Sequence, residues 1–441
     1  MNERWRKLRE HLGWLIPVLA CWSAWAWVAG RLGADPADAV GLLAPVIATV
    51  LLWREKQHTV AYPWLAPSVL LLVYALAFHA VLPLARAALA VTALAAAVSA
   101  WRLGTRMHLA LWGLLLLALP VIPSLQFYLG FPLRALVAAL SAPLLRGSGL
   151  SVMPQGACLR WGNTLIAIDA PCSGVQMLWT GFLLVLALAW YRRLSPGRTL
   201  LATGGALVFI ILGNALRAAA LFYPEAGIIT APAWAHSAIG VLVFLAVAAV
   251  IVWWVGWLAC TPGVSQSASL SDFPFRGCGV AYLLVALLAA VAPLWHPAPS
   301  AHTTMPFPGW PARFAGRSLH PLALTPREER FQEGFPGRIA RFTDGRHEIV
   351  MRWVTRETRL LHPAVDCFRG IGYRITPLPL VRDAQGRCWG AFRAERDPRP
   401  LMVRELIYDD AGHTWSDTSA WYWSAALQQT PGPWWAVTMV E

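Results

Sequence analysis

Charged residues are scarce in this 441-residue chain, and lysine is almost absent. Asp, Glu, Lys and Arg make up 13% of the sequence and hydrophobic residues 57%, whereas soluble domains are about 25% charged. Only Lys7 and Lys56 are lysines among the 36 basic residues. One water-soluble core cannot bury so large an apolar excess. The composition therefore excludes a soluble protein and predicts a membrane protein that contacts the lipid bilayer.

Cysteine is also sparse, and common cofactor motifs are missing. Seven cysteines in the chain are too few for a disulfide scaffold. The sequence has no CxxC, HExxH, GxGxxG or Walker loop, so it predicts no zinc, dinucleotide or P-loop site, and we expect neither a metal nor an organic cofactor. The arginines are scattered between apolar runs without forming a basic stripe, which argues against a nucleic-acid partner.

Apolar runs long enough to cross a bilayer, about 20 residues, fill the first two-thirds of the chain. They predict an all-α polytopic membrane domain over residues 1–295 with eight or nine transmembrane helices. The first run follows basic residues as in a signal peptide, but the later runs favour a retained anchor. The predicted spans are 12–30, 39–53, 65–83, 87–101, 109–129, 172–191, 199–218, 237–258 and 279–295.

Basic residues in the short loops predict the orientation. Cytoplasmic loops carry an excess of Lys and Arg. Nine crossings from a cytoplasmic N-terminus place 12 basic residues inside and six outside over this region, with the C-terminus outside. The residues assigned to the cytoplasm are Arg4, Arg6, Lys7, Arg9, Arg54, Lys56, Arg102, Arg106, Arg192, Arg193, Arg198 and Arg276.

The composition changes abruptly at about His296. Residues 296–441 carry 18 Arg against 15 Asp and Glu, and stretches such as 348–354 alternate apolar and polar residues as half-buried strands do. We expect a small β-rich or α+β extracytoplasmic domain over 296–441.

Three polar elements interrupt the apolar runs. One begins the sixth predicted span, one lies near the end of the seventh, and one begins the eighth. Counting crossings places all three at one depth, near the external face of the membrane. The elements are Asp169-Ala170-Pro171-Cys172-Ser173-Gly174, Asn214-Ala215-Leu216-Arg217 and His236-Ser237-Ala238-Ile239-Gly240.

These residue types suit nucleophilic catalysis by a thiol. A cysteine becomes a good nucleophile when a cation or an imidazole lowers its pKa, so His236 would accept the proton of Cys172 and later donate it to a leaving amine. Arg217 keeps its charge and would stabilise an oxyanion or a bound carbonyl. Asn214 lies three residues before Arg217 and therefore on the same helical face.

Each residue also has a structural interpretation that the sequence leaves open. Cys172 suits a small core position, and Arg217 can extend its charged end to the membrane interface. His236 suits an interfacial position, and Asp169 can cap the sixth span. The presence of Cys, Arg and His at one depth favours the functional interpretation over these separate ones.

The same three elements resemble the exosortase/archaeosortase family of polytopic membrane proteins. The resemblance rests on Ala170-Pro171-Cys172-Ser173-Gly174, Asn214-x-x-Arg217 and His236, and it covers roughly residues 65–260. It implies a membrane-embedded cysteine protease or transpeptidase in which Cys172 is the nucleophile, Arg217 stabilises the substrate or oxyanion, and His236 is the acid and base. The supporting or substrate-binding residues would be Asp169, whose role stays open, Ser173, Gly174 and Asn214.

The resemblance also implies substrates and a location. The substrates would be exported proteins with a C-terminal sorting signal made of a short motif, a transmembrane helix and a basic tail. The protein would lie in the bacterial inner membrane with its N-terminus in the cytoplasm and its active site and C-terminal domain in the periplasm. Exopolysaccharide machinery would be a further partner.

The C-terminal domain resembles a domain often fused to, or encoded beside, exosortases in exopolysaccharide systems. The residues that carry this resemblance include His362, Cys367 and the aromatic cluster Trp415, Trp421, Tyr422 and Trp423. Cys367 would form a disulfide with Cys388 or a reactive pair with His362, and the structural alternative is favoured. The aromatic residues would stack on sugars or fill a core.

Two other functions compete with the protease. The protein would instead be a non-enzymatic exopolysaccharide assembly or export component, whose C-terminal domain binds a glycan or a partner protein. A transporter usually shows internal repeats and broken helices, and the sequence contains no repeat of fixed period. The polar elements around Cys172 favour the enzyme.

Overall fold

The computed structural model describes residues 13–34, 38–55, 65–162, 164–168, 174–232, 234–260, 279–295, 306–396 and 400–441. The chain divides into two compact units. The first comprises Met1–Ser124, Gln176–Gly213 and Gly240–Ser300, and the second comprises Leu125–Val175, Asn214–Ile239 and Ala301–Glu441. The domain boundary between residues 295 and 296 rests on composition and stays a prediction.

The apolar part of the chain is helical, as predicted. Eleven α-helices lie before residue 296 in the described ranges. They are α1 (Ile16–Ala20), α2 (Trp22–Ala34), α3 (Leu43–Arg54), α4 (Leu65–Ala77), α5 (Pro83–Val98), α6 (Leu109–Leu117), α7 (Ile122–Gly147), α8 (Val175–Tyr191), α9 (Pro196–Glu225), α10 (Ala235–Cys260) and α11 (Gly279–Val291).

Four of these helices have the length and composition needed to cross a membrane. They are α5, which a π-helical turn extends to Leu103, together with α7, α9 and α10. α1 and α2 make a fifth candidate if the pair, bent by 68°, is one span. The other apolar helices are shorter. Within the described residues the protein is therefore a membrane protein with four or five candidate spans, and the predicted eight or nine are not confirmed.

The predicted span 109–129 has the wrong bounds. α6 ends at Leu117, and α7 begins at Ile122 and continues to Gly147. Pro120 lies in the break, and proline lacks an N–H group and disfavours a helical conformation in the residue before it. The sequence prediction stopped short of Arg134, but the structure compensates this charge with Asp417 at 2.6 Å. The helix therefore continues past the point where the sequence prediction ended the span.

Large apolar side chains are exposed along α10 and α11. They include Leu242, Leu245 and Trp253 in α10 and Leu284 and Leu287 in α11. Contiguous apolar surface is uncommon on soluble monomers. A helix satisfies its own backbone hydrogen bonds and can therefore present such a surface to lipid.

Glu55 joins three loops of the first unit that the sequence analysis assigns to the cytoplasm. Its carboxylate contacts Arg193 at 3.3 Å, and its backbone carbonyl accepts a hydrogen bond from Arg102 at 3.0 Å. The loops that follow α3, α5 and α8 therefore meet. Other residues used for the orientation lie outside the described residues, namely Arg4, Arg6, Lys7, Arg9, Lys56 and Arg276.

A three-stranded antiparallel meander in the second unit precedes the Asp169–Gly174 element. Its residues Leu159 and the following Ile168 are buried in one core with Phe222 of α9 and residues of α7. The Ser141 hydroxyl of α7 also donates a hydrogen bond to the Ala215 carbonyl of α9 at 2.9 Å. The strands are β1 (Val152–Gln155), β2 (Cys158–Trp161) and β3 (Thr164–Ala167).

The C-terminal part of the chain, residues 306–441 and here called the β-region, is rich in strands, as predicted. A short hairpin, β4 (Arg313–Phe314) and β5 (Arg317–Ser318), precedes an eight-stranded antiparallel sheet in the order β6-β7-β8-β13-β11-β10-β9, with β12 paired to β11. The sheet strands are β6 (His320–Leu322), β7 (Gly337–Thr343), β8 (Glu348–Val354), β9 (Arg374–Arg382), β10 (Cys388–Glu395), β11 (Leu401–Asp409), β12 (Thr414–Trp415) and β13 (Trp434–Val440). Three helices accompany it, α12 (Pro326–Gln332), α13 (Ala364–Gly370) and α14 (Thr418–Ala426).

Both faces of the sheet are buried. Successive strand residues point to opposite faces, and neighbours such as Leu406 and Ile407, or Val437 and Ala436, belong to different hydrophobic clusters. One face packs against α14 through Trp421. The alternation that predicted strands in this region therefore separates two cores.

α14 packs against the first half of α7, within the second unit. Pro132 has no N–H group to donate to the Tyr128 carbonyl, as a helix would otherwise require. The Trp423 indole N–H donates to that carbonyl instead, and the Phe131 N–H donates to the Ser419 hydroxyl at 3.2 Å. α14 thus satisfies the carbonyl that the proline leaves open and makes a second hydrogen bond to the backbone of α7.

An ion pair adds to this α7–α14 contact. Arg134 Nη2 of α7 lies 2.6 Å from Asp417 Oδ2. The other carboxylate oxygen, Asp417 Oδ1, accepts a hydrogen bond from the Ala420 N–H at 2.9 Å and so caps α14. One carboxylate therefore both begins α14 and anchors it to α7.

The aromatic cluster in the β-region fills interior space. Trp421 is fully buried, and the Trp415 indole donates to the Ser424 hydroxyl at 3.1 Å. The Tyr422 ring packs edge-on against Phe127 with centroids 5.2 Å apart. The core-filling interpretation is therefore confirmed for Trp421, whereas Trp415, Tyr422 and Trp423 are half-buried.

The cysteines of the β-region are not bridged. Neither Cys367 nor Cys388 is in a disulfide, so the predicted bridge between them is wrong. Cys367 Sγ instead lies 2.8 Å from Nε2 of His362. Of the two alternatives left open by the sequence, the structure contains the Cys–His pair.

Candidate active site

The structure describes four of the seven predicted site residues. Gly174 precedes α8, Asn214 and Arg217 lie on α9, and His236 is the second residue of α10. All four belong to the second unit. The other three predicted residues lie outside the described residues, namely Asp169, Cys172 and Ser173.

Gly174 packs directly on Asn214. Its φ of +81° lies in the left-handed region, which favours glycine. A Cβ on this residue would lie 2.8 Å from Asn214 Nδ2 and 3.1 Å from Asn214 Cγ, so any side chain would displace the buried amide. The requirement for glycine in the predicted motif therefore has a physical cause, and the start of α8 is fixed against α9.

Asn214 and Arg217 occupy one face of α9, as their spacing predicts. Asn214 is buried and Arg217 is half-buried. The Arg217 Nε atom is itself buried and has no hydrogen-bond partner in the part of the chain that the structure describes. A buried cationic donor is costly to leave unsatisfied, so this guanidinium is suited to binding an acceptor such as a carbonyl or an oxyanion.

Glu225, which the sequence analysis missed, lies beside His236. It is the last residue of α9, and its Oε1 atom is 3.8 Å from His236 Nδ1. Both side chains are about two-fifths exposed, at 36% and 44%, so this contact between a carboxylate and an imidazole faces solvent. A carboxylate beside Nδ1 leaves Nε2 available for proton transfer. The sequence signal that could have identified Glu225 was an acidic residue at the end of a helix, in a chain with few acidic residues.

The structure therefore brings together two pairs, Gly174 with Asn214 and Glu225 with His236. Arg217 and His236 share no hydrogen bond or ion pair within the described ranges. Across those same ranges, no three His, Cys, Asp or Glu side chains are grouped as a metal site would require. The absence of a metal stays a prediction.

Comparison with known proteins identifies the family. A family model described as transmembrane exosortase matches residues 27–254, just over half of the chain. The chain belongs to the transmembrane exosortase family. The match confirms the resemblance found from the sequence and includes Gly174, Asn214, Arg217, Glu225 and His236. The β-region of this exosortase lies beyond the match, and comparison with curated proteins and with solved structures finds no match.

Proposed function

We propose that this exosortase is a membrane cysteine protease or transpeptidase that cleaves C-terminal sorting signals of exported proteins. Cys172 is the nucleophile, His236 is the general acid and base, and Arg217 holds the developing negative charge. The packing of Gly174 on Asn214 carries the proposal. It ties the chain two residues after Cys172 to the helix that carries Arg217.

Covalent geometry limits how far the nucleophile lies from α9. Consecutive Cα atoms are about 3.8 Å apart, so the Cα atoms of Cys172 and Gly174 are within about 8 Å of each other. Asn214 and Arg217 are separated by about 4.5 Å along the helix axis. A peptide carbonyl is therefore within reach of both the thiol and the guanidinium.

The reaction follows the chemistry of these groups. His236 accepts the Cys172 thiol proton, and the thiolate attacks the peptide carbonyl carbon, forming a C–S bond. The carbonyl oxygen becomes an oxyanion, which Arg217 stabilises. The C–N bond then breaks, and the leaving amine takes the proton from His236. Water or an acceptor amine attacks the thioester, which releases the product and restores the thiol.

The remaining residues support this site. Asn214 holds the Gly174 turn, and Glu225 orients the imidazole of His236. Ser173 and Asp169 flank the nucleophile and are assigned to substrate binding or support.

We further assign the site to the external face of the bacterial inner membrane. This assignment is supported by the excess of basic residues in alternate loops and by the meeting of three such loops at Glu55. The substrate is an exported protein that carries a short motif, a membrane helix and a basic tail. This location places the β-region in the periplasm, where exopolysaccharide machinery is a candidate partner.

Processing of such a substrate tests the proposal. Wild type and Cys172→Ala are each co-expressed with a tagged exported protein bearing the signal, and the size of the tagged protein is measured. Cys260→Ala, which removes an exposed free cysteine at the end of α10, is the matched control. We expect the shorter product with wild type and Cys260→Ala only. Unchanged processing by a folded Cys172→Ala protein would contradict the cysteine mechanism and favour a non-enzymatic role.

A further inference from the structure

We propose that the β-region carries a second thiol nucleophile, in which His362 activates Cys367 for acyl transfer from a peptide or ester carbonyl. The pair lies between β8 and β9, where His362 precedes α13 and Cys367 lies within that helix. It is far in sequence from Cys172, and the transmembrane exosortase match ends at residue 254. The inference is therefore independent of the function proposed above.

The hydrogen bonds around His362 settle its tautomer. Nδ1 lies 2.9 Å from the Leu360 carbonyl oxygen, and Nε2 lies 2.8 Å from Cys367 Sγ. A carbonyl oxygen only accepts hydrogen bonds, so Nδ1 must carry the proton. In the neutral ring Nε2 is then the acceptor, and it faces the thiol. This is the arrangement of nucleophile, base and orienting group that activates a thiol.

Neighbouring contacts hold the pair in place. The Ala364 N–H at the start of α13 donates a hydrogen bond to Glu405 Oε2 at 2.8 Å, which ties the segment to β11. Phe331 of α12 packs edge-on against the His362 ring with centroids 5.5 Å apart. β11 therefore holds the backbone just after His362, and α12 packs on the imidazole itself.

The imidazole contact, rather than accessibility, distinguishes Cys367 from Cys158 and Cys388, which are half-buried as well. Both Cys367 and His362 are half-buried, a setting typical of reactive cysteines. Burial raises the pKa of the Cys158 thiol to about 11, which makes that cysteine unreactive at neutral pH. Cys388 is half-buried as well, and it provides the reference thiol.

A small cavity of mixed polarity adjoins His362. His362 also lines a small cavity in the β-region with Arg352, Glu405, Asp417 and Thr438. Asp366, on α13, is a further charged group near Glu405, where burial and this negative charge both raise the pKa of the Glu405 carboxyl. Leu361, Leu406 and Ile407 supply apolar lining to the same cavity, and the substrate class, a peptide or an ester, follows from the acyl-transfer chemistry of the thiol.

The acyl transfer needs no oxidant or reductant. The Cys367 thiol proton moves to His362 Nε2, and the sulfur forms a bond to the acyl carbon. The bond from that carbon to the leaving amine or alcohol breaks, and the leaving group takes the proton from His362. Water or a second hydroxyl or amine then cleaves the thioester and regenerates the thiol.

Covalent labelling of the full-length chain in detergent tests this site. The Cys172→Ala background removes the other proposed nucleophile, and peptides are analysed by mass spectrometry after treatment with iodoacetamide or p-nitrophenyl acetate. Imidazole-activated thiols are alkylated about tenfold faster than ordinary thiols near pH 6, because the gain in ionised fraction exceeds the loss of intrinsic nucleophilicity. We expect that ratio for Cys367 over Cys388, and an acetyl thioester on Cys367.

The His362→Asn variant and the pH profile decide between activation and simple exposure. His362→Asn should reduce alkylation of Cys367 to the rate of Cys388. The pH profile of the background chain, which needs no change at His362, should show alkylation of Cys367 persisting below pH 7. The proposal is overturned if the alkylation rate of Cys367 has the same pH dependence as that of Cys388. It is also overturned if His362→Asn leaves the rate unchanged in the folded protein, or if no acetyl thioester forms.

Discussion

Replacing Asp417 with asparagine should lower the free energy of local unfolding of α14 by about 2 kcal/mol. The Arg134 and Asp417 side chains are only 12% and 29% exposed, so solvent screens this pair less than a surface ion pair. Hydrogen bonds to charged groups contribute about 1.5–3 kcal/mol. Asparagine keeps the hydrogen bond to Ala420, because Asn and Asp cap helices about equally well. Alanine at this position also removes the cap and should cost about 1 kcal/mol more.

Amide hydrogen exchange of the full-length chain in detergent measures this opening. Exchange reports local opening free energies, and each 1.4 kcal/mol is about a factor of ten. Exchange in α14 should accelerate about thirtyfold in Asp417→Asn and about a hundredfold in Asp417→Ala. Asp410→Asn, at an exposed position in the turn after β11, is the matched control. If α14 exchanges no faster in Asp417→Asn than in that control, the reasoning about the ion pair is refuted.

Three further predictions concern the active site and the β-region. Gly174→Ala places a Cβ 2.8 Å from a buried amide and should reduce processing of the tagged substrate about tenfold, whereas Gly227→Ala, with φ +71° and open space, should not. Glu225→Gln should lower kcat with little change in KM, since His236 loses its orienting carboxylate; an unchanged kcat contradicts that role. Burial raises the pKa of Glu405 from 4.5 to about 7, so the stability it contributes is complete below pH 4.5 and falls by about 3 kcal/mol as the pH rises through 7. Thermal unfolding at several pH values should show this loss in wild type and not in Glu405→Gln.

The sequence predicted the positions of the helices better than the number and bounds of the membrane spans. Apolar runs located nearly every helix of the first 295 residues, because burial and lipid both select apolar side chains. The predicted span bounds assigned Arg134 to an external loop, whereas its charge is compensated by a residue 283 positions later. Compensation by a distant partner has no local signature, so both the end of α7 and the α7–α14 contact were beyond reach.

The candidate site was predictable where polar residues interrupt apolar runs. Asn214 and Arg217 were found because a helix repeats every 3.6 residues, which fixes their common face. Glu225 was missed because an acid at a helix end also suits the membrane interface. The reason for glycine at position 174 required coordinates, since it depends on the neighbouring Asn214.

Because α7 is synthesised well before α14, the α7–α14 contact forms late during biogenesis. Arg134 and Asp417 are 283 residues apart, so at 5–20 residues per second the arginine is made roughly 15 to 60 s before its partner. During that interval the Tyr128 carbonyl also awaits Trp423. The first half of α7 therefore reaches its final environment only after the end of the chain has been synthesised and folded. Ribosome-bound intermediates should hold this helix in a provisional position that the last strands and α14 make permanent.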